Sequence, residues 1–417
     1  MKQTASVIST YSADVMGVCS ALYELGGMTV MHDASGCNST YTTHDEPRWF
    51  DMDSMVYISG LSEMEAIMGD DDKLIEDICE AASDLHPKFI ALAGSPVSAM
   101  TGFDYEAVAG VIESRTGIPA LGFPTTGMNT YIHGASMALE GIVSRFIDDP
   151  SDEWIEEKLH TVRTSDEEVP YRVNLLGLTP LDFSVNSTVD SLTKWLEDRG
   201  FEVGARLAMG SSLEEIGRAS ESEVNLIVSA AGLGAARMMY RKFAIPGVIG
   251  LPVGAKQSDL LEDALRRTAS EYRTFRTSGE VFERSGLTRI KIHPNDLDPA
   301  RDEELVAVIG EGITSLSVAN AIRFETGRRT RVLCATECPD NILRPWDCMT
   351  PDEDDIVPKL SDATVVIADP LYKPICPPHA KFIELPHEAF SGRIYRKDIP
   401  DLIRDFDSWT EANGIRL

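Results

Sequence analysis

Short, uninterrupted apolar runs bounded by Gly or Pro recur along the chain: KFIALAG (88–94), YRVNLLGL (171–178), EVNLIVSA (223–230), PGVIGLP (246–252), ELVAVIG (304–310), TRVLCA (330–335) and ATVVIAD (363–369). Side chains alternate across a strand, so a run that is apolar at every position buries both faces. That is the signature of parallel strands covered by helices on each side. Between the runs lie amphipathic stretches, at 15–25, 73–82, 188–199 and 317–326. Strand and helix in alternation predict an α/β fold of doubly wound parallel sheets.

Two shifts in pattern divide the chain. Residues 148–169 are acidic and lack strand patterning, and so read as a surface helix plus linker; 275–302 hold few apolar runs and mark a second crossover. Three Rossmann-like modules are expected, at 1–150, 165–285 and 300–417, in keeping with 417 residues at roughly 150 per domain. Hydrophobic residues make up 43% and charged residues 25%, the balance of a globular chain, which excludes extensive disorder. A net charge of −29 repels phosphate backbones and anionic lipid, so neither nucleic acid nor membrane is an expected partner. No stretch approaches the roughly 18 apolar residues that span a bilayer. The first residues carry one Lys but no apolar core of signal-peptide length, so a cytoplasmic protein is expected. In a reducing compartment an odd count of seven Cys points to thiol or metal chemistry rather than a disulfide framework.

The candidate chemistry is concentrated in two places. Gly232-Leu-Gly234 and Gly310-Glu-Gly312 each follow a strand, but both lack the third Gly of a dinucleotide fingerprint. They read as tight strand-to-helix turns, and no Walker A lysine motif is present. The segment HDASGCNSTYTTHDEPRWF (32–50) is more informative. Cys37, in a Gly-containing loop after the apolar segment 28–31, is placed at the carboxyl edge of a sheet, where α/β folds bind ligands. Cys19, on the preceding helix, runs back toward the same edge, and thiolates suit iron–sulfur clusters. His32 and His44 border this loop and can tune a cluster by hydrogen bonding. A second group comprises Cys334 and Cys338 (C-x3-C), Cys348, and Cys376 with His379. Either these thiols line a metal site in the cleft between modules, or Cys334 is strand core and the rest are loop thiols. Cys79 reads as core.

Set in order, these segments resemble the nitrogenase component 1 superfamily over nearly the whole chain. His32-Asp33-Ala34-Ser35-Gly36-Cys37 resembles its HGPxGC segment, and His44 to Pro47 is similar to the His-and-Glu-Pro stretch that follows. Residues 59–69 resemble its T/S-E-x5-G segment, and 89–97 with Gly102 and Asp104 its strand and CPVxxxxGDD turn. Residues 224–227 through Pro246 are similar to the strand, helix and GIP of its second Rossmann-like domain. Three departures stand out. The Cys of the CPV turn is replaced by Ser95 or Pro96, the family's first cluster Cys falls near Ala13 or Asp14, and the thiolate that anchors the iron–molybdenum cofactor falls at Ser229.

The resemblance implies three Rossmann-like domains around a central cleft, with an interface [4Fe–4S] cluster held by Cys37 and by Cys19 or Asp14, Ser95 standing beside it. It implies an iron–sulfur oxidoreductase that accepts electrons from an ATP-dependent iron protein and reduces an unknown substrate or a second metallocofactor in the cleft. Serine is a poor soft-metal ligand, so dinitrogen fixation is not expected. A homodimer sharing one cluster and a heterodimer with a paralogous subunit both fit, and a cluster-assembly scaffold or a non-catalytic binding protein remain the alternatives.

Overall fold

The computed structural model describes residues 6–9, 13–34, 36, 38, 41, 45–150, 169–278, 287–289, 304–339 and 341–415. Among them are three sheets, every strand pairing parallel. The first contains β1 (Met28–His32), β2 (Met55–Ile58), β3 (Ile90–Gly94) and β4 (Ala120–Phe123), in the order β2-β1-β3-β4. The second contains β5 (Arg172–Leu176), β6 (Glu202–Leu207), β7 (Val224–Ile227), β8 (Gly247–Ile249) and β9 (Leu287–Arg289), in the order β6-β5-β7-β8-β9. The third contains β10 (Leu305–Gly310), β11 (Arg329–Cys334), β12 (Cys348–Met349), β13 (Val365–Ala368) and β14 (Lys381–Glu384), in the order β12-β11-β10-β13-β14.

Helices cover both faces of the sheets, so most interior strands are buried throughout: β1, β3, β7, β8, β10 and β13 are buried at every position. Each order reverses once, between β1 and β3, β5 and β7, and β10 and β13. Such reversals open crevices at the carboxyl ends of strands, where doubly wound folds bind ligands. His32 and Ser95 stand at the first, Gly177 and Ser229 at the second, Glu311 and Asp369 at the third.

The first domain is held together by a backbone-close helix crossing. A Cβ on Gly17 of helix Asp14–Leu22 would lie 2.0 Å from the Tyr131 carbonyl oxygen, and one on Gly134 of helix Tyr131–Phe146 would lie 1.8 Å from that of Asp14. Only glycine fits at either position. Helix Tyr131–Phe146 then packs on Leu233–Phe243 of the second domain, where Ser136 Oγ accepts from Gly234 N at 3.0 Å. Second and third domains meet through helices Ala255–Ser278 and Gly312–Thr326. The last helix, Leu402–Ala412, returns to lie on Thr188–Asp198 of the second domain. Among the described residues no helix is long and apolar enough to cross a membrane.

Candidate functional site

The carboxyl edge of the first sheet is a network of small hydroxyls. Ser95 caps helix Pro96–Thr101, and its Oγ donates to the His32 carbonyl at 2.9 Å; Ser98 Oγ donates to the same oxygen at 2.8 Å and accepts from Tyr105 OH at 2.6 Å. The His32 ring lies 3.0 Å by Nδ1 from Ser59 Oγ and packs on Phe103. Burial pushes its pKa down to about 4, so the imidazole is neutral at pH 7. Asp33 is fully buried. Its Oδ2 accepts from Asn38 Nδ2 at 2.7 Å, while Oδ1 has no partner among the described residues. Ser35, Cys37 and His44 lie outside the described residues.

Asp14 and Cys19 share helix Asp14–Leu22 but serve the interior. The Asp14 carboxylate accepts from Val15 N (2.9 Å), Gly127 N (2.7 Å), Thr126 N (3.1 Å) and Asn129 Nδ2 (3.1 Å), which ties the helix start to the turn before Tyr131. Cys19 is wholly inaccessible in the core, and burial, reinforced by the nearby Glu46 charge, pushes its thiol far above the ordinary range.

Beside this edge the three domains enclose a cavity of about 320 Å³. Its floor comes from Met16, Ser20 and Tyr131, one wall from Tyr41, Asp45, Glu46 and Pro47, and the opposite wall from Leu181 and the segment 388–396. Glu46 is the hub. Its Oε2 accepts from Ser20 Oγ (2.8 Å) and Tyr41 OH (2.9 Å), and its Oε1 from Arg48 Nε (2.6 Å). Arg48 is buried as well, and it also bonds Glu24 (2.9 Å), the Ser20 carbonyl (2.7 Å) and, across the domain boundary, the Ala208 carbonyl (3.1 Å). This satisfies both buried charges, which would otherwise be costly. On the far wall Glu388 accepts from Ser184 Oγ at 2.9 Å and from Arg396 Nε at 2.9 and 3.0 Å. Arg393 stands exposed at the rim with no ion-pair partner among the described residues. The result is a pocket of phenols, apolar side chains and the paired carboxylates of Glu46 and Glu388, with Asp45 in its lining and the Arg393 cation at its mouth.

The other two crevices are filled by the chain itself. At the second, Ser229 Oγ donates to the Gly177 carbonyl at 2.6 Å, and a Cβ on Gly232 would lie 2.4 Å from the Leu176 carbonyl oxygen. At the third, Glu311 Oε1 accepts from Ala230 N of the second domain (3.0 Å) and Oε2 from Thr314 N (2.8 Å). Burial, with Asp182 close by, raises its pKa to about 7. Cys334 and Cys338 are buried here, and a hydrogen bond with Cys338 leads in holding the Cys334 thiol below its ordinary range. Cys348, on β12, and Cys376 are half-buried and pack against the apolar core of the third sheet. Burial raises the Cys376 thiol.

Of the predicted site residues, His32 and Ser95 share one crevice and Cys334 and Cys338 another. Asp14 and Cys19 stand on one helix but not on one site. Among the described residues no three His, Cys, Asp or Glu side chains converge to hold a metal ion. The described donors therefore do not by themselves make a cluster site. The hub of Tyr41, Glu46 and Arg48 and the wall of Glu388, Arg393 and Arg396 were not anticipated. Glu46-Pro47 stood in the family-like stretch, but nothing local marks Arg48 as buried, and residues 388–396 reach the cavity only through the tertiary fold.

The family model described as nitrogenase component 1 type oxidoreductase matches residues 14–352. The chain is 27% identical over 253 residues to the nitrogenase iron–molybdenum cofactor biosynthesis protein NifE of Clostridium pasteurianum, covering 58% of this chain and 51% of that protein. It is 21% identical over 375 residues to a light-independent protochlorophyllide reductase subunit of Chlorobium phaeovibrioides, covering 84% and 66%. The chain spans about half the length of the first of the curated relatives it matches. A solved structure titled nitrogenase Cp1 at pH 6.5 superimposes with a TM-score of 0.63 at 15% identity, covering 100% of this chain and 94% of that one, which speaks to the fold alone.

Proposed function

The chain belongs to the nitrogenase component 1 type oxidoreductase family, and from that premise we propose that it is the catalytic subunit of a nitrogenase-like reductase that binds its substrate or metallocofactor in the three-domain cavity. The observation that carries this reading is the cavity itself. It is lined by Tyr41, Asp45, Glu46 and Pro47, a few residues after Cys37 in sequence, and the carboxylates of Glu46 and Glu388 are paired within the chain with Arg48 and Arg396. A guest at the mouth meets the Arg393 guanidinium on one side and the Asp45 carboxylate on the other. Ser229 is tied to Gly177, away from the cavity lining, which speaks against anchoring the iron–molybdenum cofactor there.

With the Asp14 oxygens saturated and Cys19 sealed in the core, Cys37 is the amino-terminal thiolate left to bind iron. A [4Fe–4S] cluster at Cys37 then needs ligands from a second subunit, either another copy or a paralogue, with an ATP-dependent iron protein as electron donor. The chain's own residues position the guest: Tyr41, Tyr131 and Ser20 offer hydroxyls, and Met16 and Leu181 offer apolar contact.

Anaerobic iron and acid-labile sulfide analysis tests the reading. Wild-type protein should carry both, Cys37→Ala should lose them, and Cys19→Ala should keep them. Oxidation state should change with an iron protein only when ATP is present. Iron-free protein after anaerobic purification would sink it. A second reading, a cofactor-assembly scaffold, is favoured by the likeness to NifE; it predicts transfer of bound cluster to an acceptor without turnover.

A further inference from the structure

The two sulfurs of the C-x3-C stretch converge on one glycine. Cys334 is the last residue of β11, anchored there by Thr350 N donating to its carbonyl at 2.7 Å, and the next four residues bring Cys338 back over the start of helix Gly312–Thr326. A Cβ on Gly312 would lie 2.6 Å from Cys338 Sγ and 3.3 Å from Cys334 Sγ, so both sulfurs occupy space that any other side chain would claim. They share a hydrogen bond, and Cys334 Sγ also lies 3.3 Å from the Thr336 carbonyl. We propose that Cys334 and Cys338 are a redox-active dithiol that a hydroperoxide closes to a disulfide.

Three features favour this over a metal site. A structural zinc needs four donors, whereas no third His, Cys, Asp or Glu joins the pair among the described residues. The first turn of a 15-residue helix favours thiolate over thiol at its positive end, and together with the Cys338 and Thr336 hydrogen bonds it outweighs the opposing Glu311 charge at Cys334. Closing the bond asks only that the sulfurs approach to about 2.05 Å across a three-residue turn. Cys338, 5% exposed beside the exposed Glu337 where Cys334 is fully buried, is the residue nearer solvent and the one a small hydroperoxide meets first. One thiolate attacks the peroxide, forming a sulfenic acid as the O–O bond breaks and the leaving oxygen is protonated. The second sulfur displaces the sulfenic oxygen as water. Two thiols lose two electrons and two protons, and hydrogen peroxide becomes two waters. The inference is independent of the reductase reading.

The test uses the full chain, reduced, exposed to hydrogen peroxide, blocked with N-ethylmaleimide and digested with trypsin without reductant. The peptide bearing Cys334, Cys338 and Cys348 should take up one maleimide in place of three and lose two hydrogens, and dithiothreitol should restore all three. Cys334→Ser and Cys338→Ser should each abolish the loss, and Cys348→Ser should preserve it. Full alkylation after peroxide, or a bond that includes Cys348, overturns the proposal. Fragmentation of the wild-type peptide assigns the bond even where a serine variant does not fold.

Discussion

Two buried ionisable residues give opposite pH signatures. His32 has its pKa lowered from 6.5 to about 4 by burial, so between those values the unfolded chain binds a proton that the folded chain does not. Its contribution is fully present above about 6.5 and is lost as pH falls toward 4. Glu311 runs the other way: burial lifts its pKa from 4.5 to about 7, so the folded chain holds the proton longer. Its contribution is fully present below 4.5 and is lost as pH rises through 7. Each has a limiting slope of about 1.4 kcal/mol per pH unit. Urea unfolding at a series of pH values should therefore find His32→Asn more acid-tolerant relative to wild type and Glu311→Gln less dependent on pH toward neutrality. The same sign in both variants would refute the assignment. At this scale the sequence was legible by residue type only. Cys19 and Asp14 are chemically competent ligands, yet one turn of helix decides that the thiol meets the core and that the carboxylate meets four N–H donors.

At the level of elements, the interior strands were legible and the edges were not. The named apolar runs correspond to β3, β5, β7, β8, β10, β11 and β13, with the segment 28–31 as β1, and each of these has neighbours on both sides. The strands missed are β2, β4, β6, β9, β12 and β14, the six edges of the three sheets. An edge strand keeps one side toward solvent and tolerates polar residues: β6 is half open (EVGARL) and β14 carries Lys381 and Glu384 outward. The glycine crossing was equally silent, because Gly17 and Gly134 are 117 positions apart and only their helices' docking makes them necessary. Gly17→Ala and Gly134→Ala should each cost about 3 kcal/mol or more by forcing the helices apart. Gly110→Ala, with open space at its Cβ on helix Tyr105–Thr116, should be stable or slightly stabilised. Denaturant midpoints measure all three; an unchanged midpoint in the first two would show that the crossing is looser than drawn.

Across the described residues, the chain's own groups occupy the three crevices, and a cavity of about 320 Å³ lies among the domains. The second is closed by Ser229 and paired glycines, the third by Glu311 and the dithiol, and the hydroxyls of Ser95 and Ser98 fill the first. That cavity is built from all three domains, where no sequence pattern marks it. The seams around it are specific: Arg48 reaches the Ala208 carbonyl, Ser136 the Gly234 amide, Glu311 the Ala230 amide, Ser184 the Glu388 carboxylate, and Asp401 the Ser187 hydroxyl at 3.0 Å. One apolar core runs through these seams from Val15 to Ile415, drawing buried residues from all three sheets. Chains of this length commonly unfold domain by domain, because contacts across boundaries are fewer than those within. Here the boundary carries both core and buried hydrogen bonds, so removing one domain exposes apolar surface and leaves polar groups unpaired on the other two. Scanning calorimetry should accordingly give one transition with calorimetric and van't Hoff enthalpies in agreement. Glu311→Ala, which releases the Ala230 amide and the start of helix Gly312–Thr326, should split off a lower-melting component carrying the third sheet. Separate transitions already in the wild type would mean that the domains are only resting against one another and that the cavity has no fixed shape.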